Sequence, residues 1–353
     1  MSSLQINMGI IGAGSVTTSK GRHIDSVREL NDPNADIIAL ADIIPGFAKK
    51  TADRFSIPHG FDDYNQLLAM SEINAVVINT PTNTHKQVAI DALKAGKHVY
   101  LEKPITHTHE ELVELVDAAK KSGKIFIAGS NGLLQRQMGT FKSMIDQGLL
   151  GEVYLLTIER EYGRTGSYGK ALSKKTRNGV SIHSGSHSVE WALYFLGDPK
   201  AVSVTARGFF KNSNLSIPWK GRDEDDDGCI IMVNFDNGAA FQYRALRYAP
   251  VRDVYQMKIY GDKMSIEYDV HKCYKMKSDD CISFLRHSDI IGMEESRPMY
   301  KCERSHAAMY RYFFSCIREN RLEVSACERG LECMRIMDAI QESIDLGGVQ
   351  ISM

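Results

Sequence analysis

No stretch of this 353-residue chain approaches the ~18 consecutive apolar residues that a membrane-spanning helix needs. The opening MSSLQINMGIIG has no basic leader ahead of a long apolar run, so a secretory signal is not expected. There is no CxxC pair. The seven cysteines (Cys229, Cys273, Cys281, Cys302, Cys316, Cys327 and Cys333) are odd in number and confined to the second half. That speaks against a disulfide framework or a zinc knuckle and for reduced core thiols in a cytoplasmic protein. Neither sign of charge dominates. Lys and Arg total 43 and Asp and Glu 44, a net charge of −1, which excludes a global pull toward nucleic acid or anionic membrane. Internal repeats and low-complexity tracts are absent. The acidic run Asp223-Glu224-Asp225-Asp226-Asp227 is followed by no ligand pattern, so a solvated loop is preferred over a cation site.

What is present is the composition of an ordinary globular protein, 43% hydrophobic and 25% charged, at a length sufficient for two domains. In the first third, short apolar runs alternate with amphipathic stretches. The strand candidates are 6–12, 36–42, 75–81, 98–104 and 124–130, nearly continuous in Ile and Val, as parallel strands buried on both faces require. FAKKTADRFS, THKQVAIDALKAG and THEELVELVDAAKKSG between them read as helices. The last two end in Gly, and the Thr-His-Glu-Glu start supplies a cap. This alternation predicts βαβ units and a doubly wound parallel sheet over 1–130.

After Gly151 the strand patterns lengthen and partly alternate, with turn signals at Asp236-Asn237-Gly238 and Gly261-Asp262. An open, mainly antiparallel sheet is expected in a second α/β domain over 131–353. One helix lies near 186–197 and two amphipathic helices lie at the C-terminal end, candidates to pack back on the first domain.

Residues 12–17 read GAGSVT directly after the first strand. Gly12 permits a tight turn, and Gly14 lets the backbone approach a pyrophosphate. Ser15 and Val16 open the next helix, whose N-terminus favours phosphate. Thr17 stands where a third Gly or Ala is usual. Asp42 closes the second strand, where a carboxylate can accept from ribose hydroxyls. It would repel a 2′-phosphate, which favours NAD over NADP. The bland alternative is that Asp42 caps a loop. The segment 22–36 is read as an insert that lengthens the spacing to it.

LEKP (101–104) ends the fifth strand at the carboxyl edge, where doubly wound sheets bind ligands. A lysine there, beside a cationic nicotinamide in a partly dry pocket, should have a lowered pKa and can exchange a proton with a substrate hydroxyl. Spacing alone leaves open a Lys103 that merely snorkels from a strand end. TPTNTH (80–85) ends the fourth strand in the same way and puts Thr80, Pro81, Asn83 and His85 near the cofactor. Thr84 as a helix cap is the structural alternative.

The glycine loop, TPxxxH and EKP together resemble the Gfo/Idh/MocA oxidoreductases, the group that includes glucose–fructose oxidoreductase and inositol dehydrogenases. The resemblance covers about residues 6–350. It implies a Rossmann domain, a C-terminal α/β domain whose open sheet mediates dimer or tetramer contacts, and Lys103 as the catalytic lysine. It further implies that Glu102 helps to hold the nicotinamide side and that Asn131 lies near the cofactor. The family carries an Asp and a His four residues apart after the first C-terminal strand. In NGVSIHSGSHSVEW here, His187 matches the His, but His183 stands in place of the Asp. An acidic partner for Lys103 is thereby lost. His183 can bind substrate or relay protons. It can equally be a satisfied structural histidine, and a zinc chelate with His187 lacks an evident third ligand. Tyr162, Arg164 and Tyr168 are candidates to bind substrate, with an exposed loop as the alternative. Arg247 and Tyr248 are weaker candidates.

These observations predict an NAD-dependent oxidoreductase acting on a hydroxyl or keto carbon of a sugar, sugar derivative or cyclic polyol, with Lys103, His187 and His183 as catalytic candidates and no metal. The alternatives are a glycosidase with recycled NAD and a non-catalytic nucleotide-binding sensor. Nucleic acid and membrane are not expected partners.

Overall fold

Ile6–Ile11 is apolar at nearly every position and buried at all but one, which is the pattern of a strand covered on both faces. It is β1 of the computed structural model, which describes residues 4–128, 131–161, 179–210, 226–247, 253–270, 282–286, 305–322 and 325–353. The chain divides into two compact units, Met1–Gln135 with Glu303–Leu331, and Arg136–Cys302 with Glu332–Met353.

In chain order the first unit continues with α1 (Ser15–Thr18), α2 (His23–Leu30), β2 (Ala35–Ala41), α3 (Phe47–Arg54), β3 (His59–Phe61) and α4 (Tyr64–Leu68). These are followed by β4 (Ala75–Ile78), α5 (Thr82–Lys94), β5 (His98–Leu101), α6 (His109–Ser122) and β6 (Phe126–Ala128). The sheet order is β3-β2-β1-β4-β5-β6, and every pairing is parallel. The order reverses at β1, so the ends of β1 and β4 flank the crevice where such sheets bind dinucleotides. The five strands expected from sequence are all present. Three elements were not anticipated: β3, α4, and α2, which occupies the segment read as an insert. Ile24 and Val27 of α2 are buried, and Asn31 stops the helix in the left-handed region at φ 48°. β4 and β5 also end earlier than expected, at Ile78 and Leu101, so TPTNTH and EKP lie beyond the strands. In α6, Thr108 accepts from Glu111 N at the N-cap and Gly123 closes the helix at φ 63°.

The second unit starts with α7 (Arg136–Asp146), β7 (Val153–Glu161), α8 (Val180–His183), α9 (Gly185–Leu196), β8 (Ala201–Phe209), β9 (Gly228–Phe235) and β10 (Ala240–Leu246). Next come β11 (Val254–Gly261), β12 (Met264–Asp269) and β13 (Ile282–Arg286). The chain then returns to the first unit with α10 (Ser305–Glu319). α11 (Ser325–Asp345) begins in that unit and ends in the second, which β14 (Ile351–Ser352) closes.

The eight-stranded sheet runs β13-β12-β11-β7-β10-β9-β8-β14. It is antiparallel except for β7 with β10. Both expected turns close hairpins, β9–β10 and β11–β12. One face buries Ile231, Val233, Phe241 and Tyr243; Ile230 and Met232 alternate with them and stand exposed. α9 is buried almost throughout, including Trp191 and Phe195. No helix among the described residues is long and apolar enough to cross a membrane.

α10 belongs to the core of the first unit. Its Tyr310, Phe313, Phe314 and Ile317 are buried with Ile6, Met8 and Ile10 of β1, and with Tyr100 of β5. Burying side chains of this size contributes about 1.5–3 kcal/mol each, so the return of the chain is a large part of this unit's stability.

Candidate active site

Gly12 ends β1 at φ +98°, a region costly for any residue with a Cβ. A Cβ there would lie 2.7 Å from the Asn79 carbonyl oxygen. Gly14 has nothing within 4 Å of its Cβ direction, so the loop surface stays open to an approaching group. The departure at Thr17 has a physical reason. Its buried hydroxyl donates to the Gly12 carbonyl and accepts from Asn79 Nδ2 at 2.9 Å, tying the loop to the end of β4. Ser15 and Val16 are exposed, and α1 is a single turn. Asp42 accepts from Ala13 N at 2.9 Å through Oδ2 and from Ile44 N at 3.0 Å through Oδ1. It therefore bridges the end of β2 to the glycine loop. Two of a carboxylate's roughly four acceptor positions are used, which leaves capacity for hydroxyl donors. A glycine that admits no side chain, an open second glycine and an acid one strand away fit a dinucleotide.

Next along the carboxyl edge come Thr80 and Pro81, then EKP. Pairing of Ile78 with Leu101, and a bond from Glu102 N to the Ile78 carbonyl (3.1 Å), place the two loops side by side. Thr80 is half-buried; Pro81 and Asn83 are exposed. Pro81 occupies the N-cap of α5, the place expected of Thr84, whose hydroxyl donates back to the Pro81 carbonyl at 2.7 Å.

His85 is 1% exposed. Its Nδ1 lies 2.9 Å from the Pro104 carbonyl and its Nε2 2.8 Å from that of Thr80. Burial pushes its pKa down, so the ring carries one N–H and donates to one side. It holds the TPTNTH and EKP loops together through backbone. Lys103, two residues past β5, is half-buried.

Glu102 is 8% exposed, and its carboxylate meets a cluster that no local pattern announces. Tyr100 Oη donates to Oε1 at 3.1 Å and Lys103 N to Oε2 at 3.2 Å. His23 Nε2 stands 3.2 Å and His306 Nε2 3.6 Å from Oε1. Tyr310 Oη is 2.8 Å from His23 Nδ1, across 287 residues of sequence. Burial alone would push Glu102 up. The imidazoles of His23 and His306 beside Oε1 outweigh it and hold the carboxyl well below its usual range. Burial lowers His23, against the pull of Glu102. His23, Glu102 and His306 are also the group among the described residues whose spacing, within 4.8 Å, suits a metal ion.

In the second unit, α8 and α9 carry His183 and His187, the only half-buried positions between Gly179 and Phe195 apart from Tyr194. α8 is anchored by Asp226, which accepts from Ser181 N at 2.9 Å and from Ser181 Oγ at 2.6 Å. A Cβ on Gly179 would lie 2.1 Å from Asp226 Oδ1, so only glycine fits there. The solvated-loop reading of the acidic run thus fails at Asp226, which is 6% exposed. Its neighbours 223–225 lie outside the described residues. Burial pushes the Asp226 carboxyl up to about 6, although Ser181 and Arg247 pull the other way. Arg247 is anchored in turn, its N donating to the Asp227 carbonyl at 2.7 Å. Asn131 opens a short 3-10 helix, Asn131–Leu134. Tyr162, Arg164, Tyr168 and Tyr248 lie outside the described residues.

Family comparison matches residues 6–130 to the oxidoreductase family's NAD-binding Rossmann fold and residues 142–351 to its C-terminal alpha/beta domain. The chain belongs to the Gfo/Idh/MocA oxidoreductase family. D-glucoside 3-dehydrogenase of Escherichia coli strain K12 is 29% identical over 98% of this chain and 97% of its own length. The NAD-dependent scyllo-inositol 2-dehydrogenase of Bacillus subtilis strain 168 is 27% identical over 74% and 73%. Among solved structures, levoglucosan dehydrogenase in complex with NADH and levoglucosan has a TM-score of 0.84 at 21% identity, covering 99% of both chains. As a member of this family the chain is an NAD-dependent oxidoreductase, related to dehydrogenases of sugars and polyols.

Proposed function

We propose that this protein is a dehydrogenase of a sugar, a sugar derivative or a cyclic polyol, with Lys103 as its general acid/base. The observation that carries this is the position of Lys103. It is half-buried on the carboxyl edge that also holds the Gly12 turn, with one strand between their two strands. Bound NAD would supply the hydride acceptor for the substrate carbon. Lys103 in its neutral form takes the hydroxyl proton as hydride leaves and returns it in the reverse direction.

Gly12, Gly14, Ser15 and Val16 would face the pyrophosphate. Asp42 would accept from the ribose, and its charge favours NAD over NADP. Thr80, Pro81 and Asn83 line the same edge, and Asn131 is assigned to it by resemblance. His85 and Glu102 act from behind, through the loops they hold. His187 is assigned to orienting substrate and His183 to binding it or relaying its proton. Both are half-buried in a run that is otherwise nearly all buried. The named relatives act on an inositol and a glucoside, which supports this substrate class.

The test mixes the protein with NAD and a panel of sugars, glycosides and inositols and follows absorbance of the reduced cofactor. Lys103→Met is expected to lower kcat by about 10²–10⁴ with NADH affinity retained. Undiminished turnover would remove the assignment. Free sugar released without net NADH would point to a glycosidase.

The exposed Ile230 and Met232 on the open sheet support a homo-oligomer built on that face. Sedimentation equilibrium giving a monomer at micromolar protein would exclude it. Buried free Cys229, Cys316 and Cys333 support a cytoplasmic location, which fractionation of expressing cells would check.

A further inference from the structure

The family pattern places an acid where this chain has His183, yet a lysine that exchanges protons beside a nicotinamide cation needs something to oppose that positive charge. The first unit contains such a group. We propose that Glu102 is a built-in counter-ion for Lys103, and that His23 and His306 are positioning residues which keep it ionised and aimed. The inference rests on the acid/base reading of Lys103 and says what tunes it.

The geometry supports this at three points. First, the carboxylate is bonded to the backbone of Lys103 itself, with Lys103 N at 3.2 Å from Oε2. Any rotamer of that lysine then keeps its amine within about a Debye length of the charge, and a buried anion is screened less than an exposed one. Second, the carboxylate is ringed by groups able to donate. Tyr100 Oη, His23 Nε2 and His306 Nε2 approach Oε1 at 3.1, 3.2 and 3.6 Å. Tyr100 Oη and Lys103 N occupy one acceptor position on each oxygen, and the two imidazoles stand beside Oε1. Third, the donors are themselves held. Tyr310 Oη fixes His23 Nδ1 at 2.8 Å, and the rings of His23 and His306 meet edge to face, 4.8 Å between centroids.

Among the described residues, titratable groups reach the surroundings of Glu102 from four elements. They are His23 and Arg22 at the start of α2, Tyr100 and Lys103 at the end of β5, His306 and Tyr310 on α10, and His85 on α5. Glu102 is the one carboxylate among these named groups. Its charge therefore holds the Lys103 amine in its protonated form to higher pH, against the opposite push of a nicotinamide cation.

The experiment reads Lys103 directly in the full-length protein, without substrate. Competitive acylation by acetic anhydride is followed across pH by mass spectrometry of the Lys103 peptide. Glu102→Gln, which keeps size and loses charge, should lower the labelling midpoint by about one pH unit. Glu102→Asp should return it most of the way. NADH fluorescence titration confirms that each variant keeps its cofactor cradle; should Glu102→Gln lose it, the Glu102→Asp and His306→Gln midpoints against wild type carry the test. A Glu102→Gln midpoint within about 0.2 units of wild type would overturn the proposal. So would a stoichiometric transition metal in the purified protein that His306→Phe releases, because the three side chains would then be ligands. The midpoint is measured on the resting protein, so it can move while Lys103→Met retains activity, or stay while that variant loses it. The two readings therefore fail separately.

Discussion

Glu102 in the first unit and Asp226 in the second are both buried acids standing behind a candidate site residue, and their surroundings drive them in opposite directions. Glu102 is approached by two histidine nitrogens, a phenol and a backbone N–H, and stays ionised despite its burial. Asp226 accepts from a single serine, through its N and Oγ, and rises to about 6. Burial disfavours both charges; the number of donors decides which acid keeps its charge. The two units should therefore answer acid differently.

For Asp226 the folded value lies above the usual 3.8. Between about pH 4 and 6 the folded chain binds a proton that the unfolded chain has released, so stability falls as pH rises through that window. For Glu102 the folded value is depressed. Its contribution is present above the unfolded carboxyl range and is lost as pH falls. His23, lowered by burial, adds to the loss below about 6.5, because it must charge on unfolding. Hydrogen exchange corrected for intrinsic rates should show α8 and α9 gaining protection from pH 7 to 5 while α10 and β5 lose it. A parallel response of the two regions would break the contrast.

The largest single effect is expected at Asp226→Asn. It should abolish the stability decline between about pH 4 and 7, which a rise from 3.8 to about 6 makes worth about 3 kcal/mol at most. The variant should be as stable as the parent at about pH 3 and more stable at about pH 8 in urea titrations. A variant that is less stable at both would mean that the charge, not the hydrogen bonds, holds α8. His306→Phe should cost about 2 kcal/mol at neutral pH by removing a polar group that stands 3.6 Å from a buried carboxylate. The deficit should narrow only in stronger acid, below the usual carboxylate range, where Glu102 gains its proton in both proteins. A deficit independent of pH would reduce His306 to packing. The smallest effect, about 1 kcal/mol, is expected for Ser181→Ala, which removes the hydroxyl at 2.6 Å from Asp226. It should also push Asp226 further up, visible as a pH decline that extends to higher pH. An unchanged profile would show that the serine contributes only through its backbone.

Much of the first unit was legible from residue order. Strand–helix alternation, the glycines at 12 and 14, Asp42 and EKP placed the candidate residues on the carboxyl edge of one sheet, where the structure has them. Two misreadings have particular causes. The segment read as an insert, 22–36, carries Pro33 and four acids, so the short helix within it, α2, was not apparent. Its buried face is completed by α10, from the far end of the chain. The acidic run looked solvated because four of its five members flank Asp226 with like charge. Nothing local marks Asp226 as a residue that turns inward to Ser181.

The sequence by itself determined the doubly wound architecture, the cofactor turn and the lysine at the strand end. Those depend on spacing between near neighbours, on turn chemistry and on the period of apolar residues, all of which are local. Only the tertiary structure decided what surrounds the two buried acids. Whether a carboxylate keeps its charge depends on how many donors the closed chain brings to it. His306 reaches Glu102 only because apolar residues on the same helix are buried in the core that β1 and β5 share.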